Sequence, residues 1–153
     1  MPVTDESILI PAPQEEIFDY LHDPTHTPEY DATILTTEFD DDGPIHVGSR
    51  FGGKARIIGR TFDWKVEVIE DNRPTKMALK SIEGNIDFTT AYTLTPEAGG
   101  TRVNYHVDSG AGLGGVFGRV GDALVAKAYA RQVRANLATL SEILTDHTRE
   151  QHG

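Results

Sequence analysis

The chain has 153 residues, enough for one domain, and at 38% hydrophobic and 25% charged its composition is that of a globular protein. Acids outnumber bases 24 to 14, and the net charge of −10 repels both a polyphosphate backbone and an anionic membrane surface. The absence of cysteine excludes disulfide scaffolds, thiolate catalysis, Cys-ligated zinc and iron–sulfur clusters.

Residues 1–7 hold neither a basic start nor an apolar segment, so no secretory signal is read there. No apolar run is long enough to span a bilayer, and the expected place is the cytoplasm. Residues 3–10 read as a first strand closed by Pro11. Pro13 then opens a short helix with Glu15 and Glu16 in its first turn, where acids face the positive end of the helix dipole. Ile17, Phe18 and Leu21 form its apolar face, and Pro24 and Pro28 bracket a second short helical turn around His26.

From Thr33 to Asp108 the period becomes two. Phe62, Trp64, Val66 and Val68 alternate with polar residues, as do Phe88, Thr90, Tyr92 and Leu94, and then Val103, Tyr105 and Val107. Turn signals such as Asn72-Arg73-Pro74 and Gly99-Gly100 divide this stretch into six antiparallel strands. A meander of that kind needs a cover for its apolar face. The cover is the segment from about Gly115 to Thr145, where Leu124, Ala128, Ala130, Val133, Leu137, Leu140 and Leu144 recur at helical spacing. About 30 helical residues would extend roughly 45 Å, the span of a strongly bent sheet. Residues 1–146 thus form one α+β domain, and 147–153 a polar C-terminal tail.

Several motifs have a chemical look and a plainer explanation. Gly110, Gly112 and Gly115 satisfy G-x-G-x-x-G, but only a helix and a tail come after them, not the second parallel strand of a dinucleotide fold. Glu38, Asp40, Asp42 and Gly43 echo a calcium loop, yet its twelfth position falls on Ser49. His22 and His26 are four apart, but Pro24 between them breaks the register a zinc pair needs. No metal and no cofactor is expected. The aromatics on inward strand phases are more telling. Phe51, Phe62, Trp64, Phe88, Tyr92 and Tyr105 suit the wall of an apolar pocket, although any one of them suits a plain core.

Taken in order, these elements resemble the helix-grip layout of the START and birch-pollen-allergen-like superfamily, SRPBCC, over residues 3–145. The match is nearest to its polyketide cyclase/dehydrase and lipid-transport branch. Residues 10–24 are similar to that branch's opening strand and first helix. His26-Thr-Pro28-Glu29-Tyr30-Asp31 stands where the family has Pro-x-Trp-Asp, with tyrosine for tryptophan. Val47 to Phe51, Gly59 to Trp64, and Gly100 to Val103 are similar to its strand starts, and Leu137 to Leu140 to its last helical turns. The resemblance implies a curved antiparallel sheet of about seven strands around the long helix, with an apolar cavity between them. It also implies functions ranging from lipid or hormone binding to polyketide cyclisation.

The leading expectation is a binder or carrier of a small hydrophobic molecule. Phe51, Phe62, Trp64, Met77, Leu79, Phe88, Thr90, Tyr92 and Tyr105 would form the sheet wall, and Leu124 and Ala128 the helix lid. The alternative is a cyclase, aromatase or dehydratase working by acid/base catalysis in the same cavity. Its candidates are Tyr92 and Tyr105 as donors, Arg50 as anion stabiliser and His106 as base, though strand phase turns Arg50 and His106 outward. Beyond the ligand, no nucleic-acid partner and no membrane insertion are expected, and a homodimer is neither required nor excluded.

Overall fold

The computed structural model describes residues 3–40, 44–57, 59–84, 87–108 and 122–152. The first strand, β1 (Val3–Ile10), is followed by α1 (Gln14–His22), which buries Ile17, Phe18, Tyr20 and Leu21. Asp23 stops that helix in extended backbone and caps the next turn, its carboxylate accepting from the Thr25 N–H at 3.0 Å and the Thr25 hydroxyl at 2.7 Å. A 3-10 turn (Pro24–His26) leads into α2 (Thr27–Tyr30), which ends at Asp31.

Six further strands complete the sheet: β2 (Glu38–Phe39), β3 (Arg50–Ile57), β4 (Arg60–Asn72), β5 (Lys76–Gly84), β6 (Thr89–Glu97) and β7 (Gly100–Asp108). The seven strands lie in the order β1-β7-β6-β5-β4-β3-β2, with every neighbouring pair antiparallel. The sheet is helix-gripping because it bends. Register shifts between Lys65 and Val66 and between Val68 and Glu70 interrupt the β4–β5 ladder, and such bulges increase local twist and turn a strand aside. The displaced Ile69 and Ile82 are 45% and 37% exposed on a sheet whose other large apolar residues mostly face inward.

The long helix α3 (Asp122–His152) lies across the sheet and buries Val133, Leu137, Leu140 and Leu144. Arg134 of α3 donates to Glu6 of β1 at 2.7 Å. The sequence predicts this helix from about Gly115. Residues 109–121, which carry the glycine motif, lie outside the described residues, as do Asp42 and Gly43 of the acidic turn. At the other end the expected polar tail is helical through His152, and the Thr148 hydroxyl donates to Glu16 at 2.9 Å.

The short helices are tied to the sheet by named contacts. His22 meets Asp71 at 2.9 Å, Arg73 pairs with Asp19, and the Arg73 guanidinium lies 4.9 Å from the Phe18 ring centre. His26 instead stacks on Tyr20 with ring centres 4.2 Å apart. The two histidines therefore serve separate contacts. At Gly100, with φ of +151°, a Cβ would collide with the Ile10 carbonyl, so glycine is required where β7 begins beside β1. Among the described residues no helix is long and apolar enough to cross a membrane.

Candidate functional site

A cavity of about 150 Å³ lies between the concave face of the sheet and the helices. Strand alternation puts one side chain in two on its wall. Phe51 and Ala55 come from β3, and Phe62, Trp64 and Val66 from β4. Met77 and Leu79 of β5, Phe88, and Thr90 and Tyr92 of β6 continue it, as do Tyr105 and Val107 of β7, and Thr4 of β1 ends it. The nine sheet residues expected on a ligand wall are thus brought together around one space.

The remaining candidates are placed elsewhere. Ala128 is half-buried on α3 and does not line the cavity; its neighbour Tyr129 does, which shifts the helix phase by one residue from the expected one. Leu124 lies on α3, but its side chain is outside what is described. Arg50 is turned to solvent, its guanidinium 2.9 Å from Glu67. His106 is likewise outside the cavity, 3.1 Å from Asp5 on the neighbouring strand. Neither can reach a molecule held inside.

Opposite the sheet, the wall contains groups that the strand pattern does not single out. Tyr30 and Asp31 at the end of α2 both line it, as does Thr33. The Tyr30 and Tyr92 hydroxyls are 3.0 Å apart, and Tyr92 stacks on its cross-strand partner Tyr105 with ring centres 4.6 Å apart. The Tyr129 hydroxyl in turn interacts with that of Tyr105. Burial pushes all four phenols up, Tyr105 to about 12, with the Asp31 carboxyl adding to the effect. At neutral pH they are therefore protonated, able to donate and accept hydrogen bonds but not to act as phenolate bases.

Asp31 is only 7% exposed. Its Oδ1 accepts from the Thr33 N–H at 2.9 Å, the Thr33 hydroxyl at 2.5 Å and the Asn136 side-chain amide at 2.9 Å. Burial raises its carboxyl above the ordinary range, against the pull of the Thr33 and Asn136 donors. The same Asn136 Oδ1 accepts from the Ala32 N–H and from Gln132. This polar knot pins the end of α2 to α3 and holds a carboxyl on the cavity wall. Sequence offers a signal for it. Asp31-Ala32-Thr33 has the spacing of an Asx turn, at the end of a stretch that sequence reading matches only as a family motif.

Trp64 is the other unusual group. Its ring meets Phe51 edge-on at 88°, and its Nε1 is buried with no hydrogen-bond partner among the described residues. Thr90 Oγ1 has no partner in hydrogen-bond geometry either, although the Tyr105 hydroxyl is its neighbour. Native interiors seldom leave such groups unpaired.

A curved seven-stranded antiparallel sheet that grips a long helix around an apolar cavity defines the helix-grip class, the SRPBCC superfamily. Within it, the chain belongs to the polyketide cyclase/dehydrase and lipid transport family, whose profile matches residues 1–145. No curated protein matches the sequence. Among solved structures, TTHA0849 from Thermus thermophilus is 22% identical with a TM-score of 0.77, covering 96% of this chain and 99% of its own. Major latex-like protein 151 from Panax ginseng is 15% identical with a TM-score of 0.71, over 93% of this chain and 96% of its own. The di-domain ARO/CYC StfQ of the steffimycin biosynthetic pathway is 12% identical with a TM-score of 0.68, over 96% of this chain and 46% of its own. At these identities the likeness is one of fold.

Proposed function

We propose that this protein binds or carries a small hydrophobic molecule in the cavity between sheet and helices. The observation that carries the reading is the composition of the wall: aromatic rings and aliphatic side chains on most sides, with a few inward hydroxyls and, on Trp64, an indole N–H that has no partner among the described residues. A core built only for stability would close such a space, because an unfilled cavity costs about 24 cal/mol per Å³. At about 150 Å³ the space suits one aromatic ring or a little more. Ala55, a small buried residue on the β3 wall, gives the test. Ala55→Trp should occupy the cavity and abolish saturable binding of an apolar fluorescent dye while the circular dichroism spectrum is retained. Unchanged dye affinity in the folded variant would remove the cavity as the binding site.

A second reading, acid/base assistance to a dehydration or ring closure, is favoured by one observation. Asp31 is a buried carboxyl with a raised proton affinity on the wall of the same cavity, facing a set of protonated phenols. Asp31 would act as the base and a tyrosine as the donor to a developing enolate. Release of water from a bound β-hydroxyketone, or aldol closure of a bound diketone, lost in Asp31→Asn while binding persists, is the outcome that separates an enzyme from a carrier.

A further inference from the structure

The charge pattern of the wall says which apolar molecules can enter. The charged side chains that line the cavity, among the described residues, are Asp31 and Asp63, both acids. The nearby cations are already paired, Lys54 with Asp63 at 2.7 Å, Arg50 with Glu67 at 2.9 Å and Lys65 with Asp40 at 2.6 Å, and none of the three lines the cavity. The other polar groups on the wall are neutral and capable of donating, among them the hydroxyls of Tyr30, Tyr92, Tyr105 and Tyr129, with the Trp64 indole in the same wall.

We propose that the cavity selects a neutral ring compound bearing a hydrogen-bond acceptor, such as an aryl ketone or a phenol, and rejects organic anions, fatty acids included. A carboxylate entering this space would lose its hydration and find no lining cation among the described residues, and burying a charge without a partner is strongly unfavourable. Asp31 adds like-charge repulsion when ionised and, when protonated, offers a neutral hydrogen-bond donor but no positive charge. A ketone oxygen, by contrast, meets donors already in place: the phenol hydroxyls and an indole N–H that lacks an acceptor among the described residues. The inference rests on the binding role proposed above and narrows its ligand to one class.

The test uses the intact protein and single-ring probes. Its one tryptophan gives one indole N–H resonance in a nitrogen–proton spectrum, a reporter on this wall. Ethylbenzene, acetophenone and benzoate are titrated at neutral pH while that resonance and the surrounding amides are followed. Acetophenone is expected to bind at least about tenfold tighter than benzoate and several-fold tighter than ethylbenzene, the scale of one net hydrogen bond. It should also move the indole resonance downfield. Benzoate affinity equal to that of acetophenone overturns the charge selection. Equal affinity of ethylbenzene and acetophenone overturns the acceptor requirement and leaves the binding role intact. Failure of all three to bind removes both.

A second measurement needs no comparison between molecules. The hydroxyl of 4-nitrophenol titrates near neutrality, and only its anion is yellow. Protein added at neutral pH should bleach the colour, because the neutral form is the one taken up. Binding that leaves the colour unchanged or deepens it contradicts the inference.

Discussion

Towards the C-terminal half of α3, Leu137, Leu140 and Leu144 are at most 3% exposed and share a cluster with Ile10, Ile17, Phe18 and Val103. Towards its N-terminal half the helix turns Tyr129 to a cavity whose facing side chains include Trp64, Leu79, Tyr92 and Tyr105, these four only half-buried. The same sheet and the same helix make both ends. The difference lies in the side chains. Aliphatic groups interdigitate until the space is filled, whereas rigid rings meeting edge-on or stacked leave gaps, and each phenol brings a polar tip that must be satisfied.

The largest effect is expected where packing is complete. Leu140→Ala should lower unfolding free energy by about 2–5 kcal/mol, the range for a large-to-small change in a filled core. Leu79→Ala should cost less, because that side chain already borders the cavity. Urea denaturation of the two variants decides the matter. Equal losses would mean that the two ends are packed alike.

Next is Asp31, which joins the hollow end to the helix. Burial raises its carboxyl in the folded state, so the folded protein holds that proton more tightly than the unfolded chain. Its contribution to stability is therefore fully present below the unfolded value, about 3.8, and is lost as pH rises through the higher folded value. Asp31→Asn removes that titration. The difference in unfolding free energy, wild type minus variant, should fall as pH rises above 3.8. A flat or rising difference in denaturant midpoints across that series would show that burial does not govern this carboxyl.

These two regions are unequally legible in the sequence. The filled end follows from periodicity: Val133, Leu137, Leu140 and Leu144 on one helix stripe, and Val66, Val68 and Val103 on alternating strand positions, all come out buried. The sheet side of the hollow end is equally regular, since alternation alone aims Phe62, Trp64, Tyr92 and Tyr105 inward. Its other side is not regular. Tyr30 and Asp31 sit at the end of a four-residue helix, too short for any period to reveal a face. On α3, small Ala128 suggests a lid, but one residue is 100° of helix, and Tyr129 is the residue that lines the cavity. The bulges that bend the sheet at Ile69 and Ile82 are also hidden, because an extra residue looks like an ordinary break in alternation.

A smaller effect belongs to the Tyr30–Tyr92 contact. Tyr30→Phe removes one hydroxyl and leaves that of Tyr92 without its 3.0 Å partner. The expected loss is about 1 kcal/mol. Thermal unfolding of the single and double phenylalanine variants measures the coupling. If the double variant is as destabilised as the two singles combined, the hydroxyls do not act as a pair.

The smallest change in stability should come from Trp64→Phe. The indole N–H has no partner among the described residues, so removing it forfeits no hydrogen bond there and relieves an unpaired buried donor. The smaller ring gives up some contact with Phe51, which lies edge-on to it, and the two effects oppose each other. Net stability should therefore stay within about 1 kcal/mol of wild type, while calorimetric titration shows acetophenone losing its advantage over ethylbenzene. This combination separates a donor kept for a ligand from one kept for packing. A structural tryptophan would show the reverse: a large stability loss and an unchanged ratio of the two affinities.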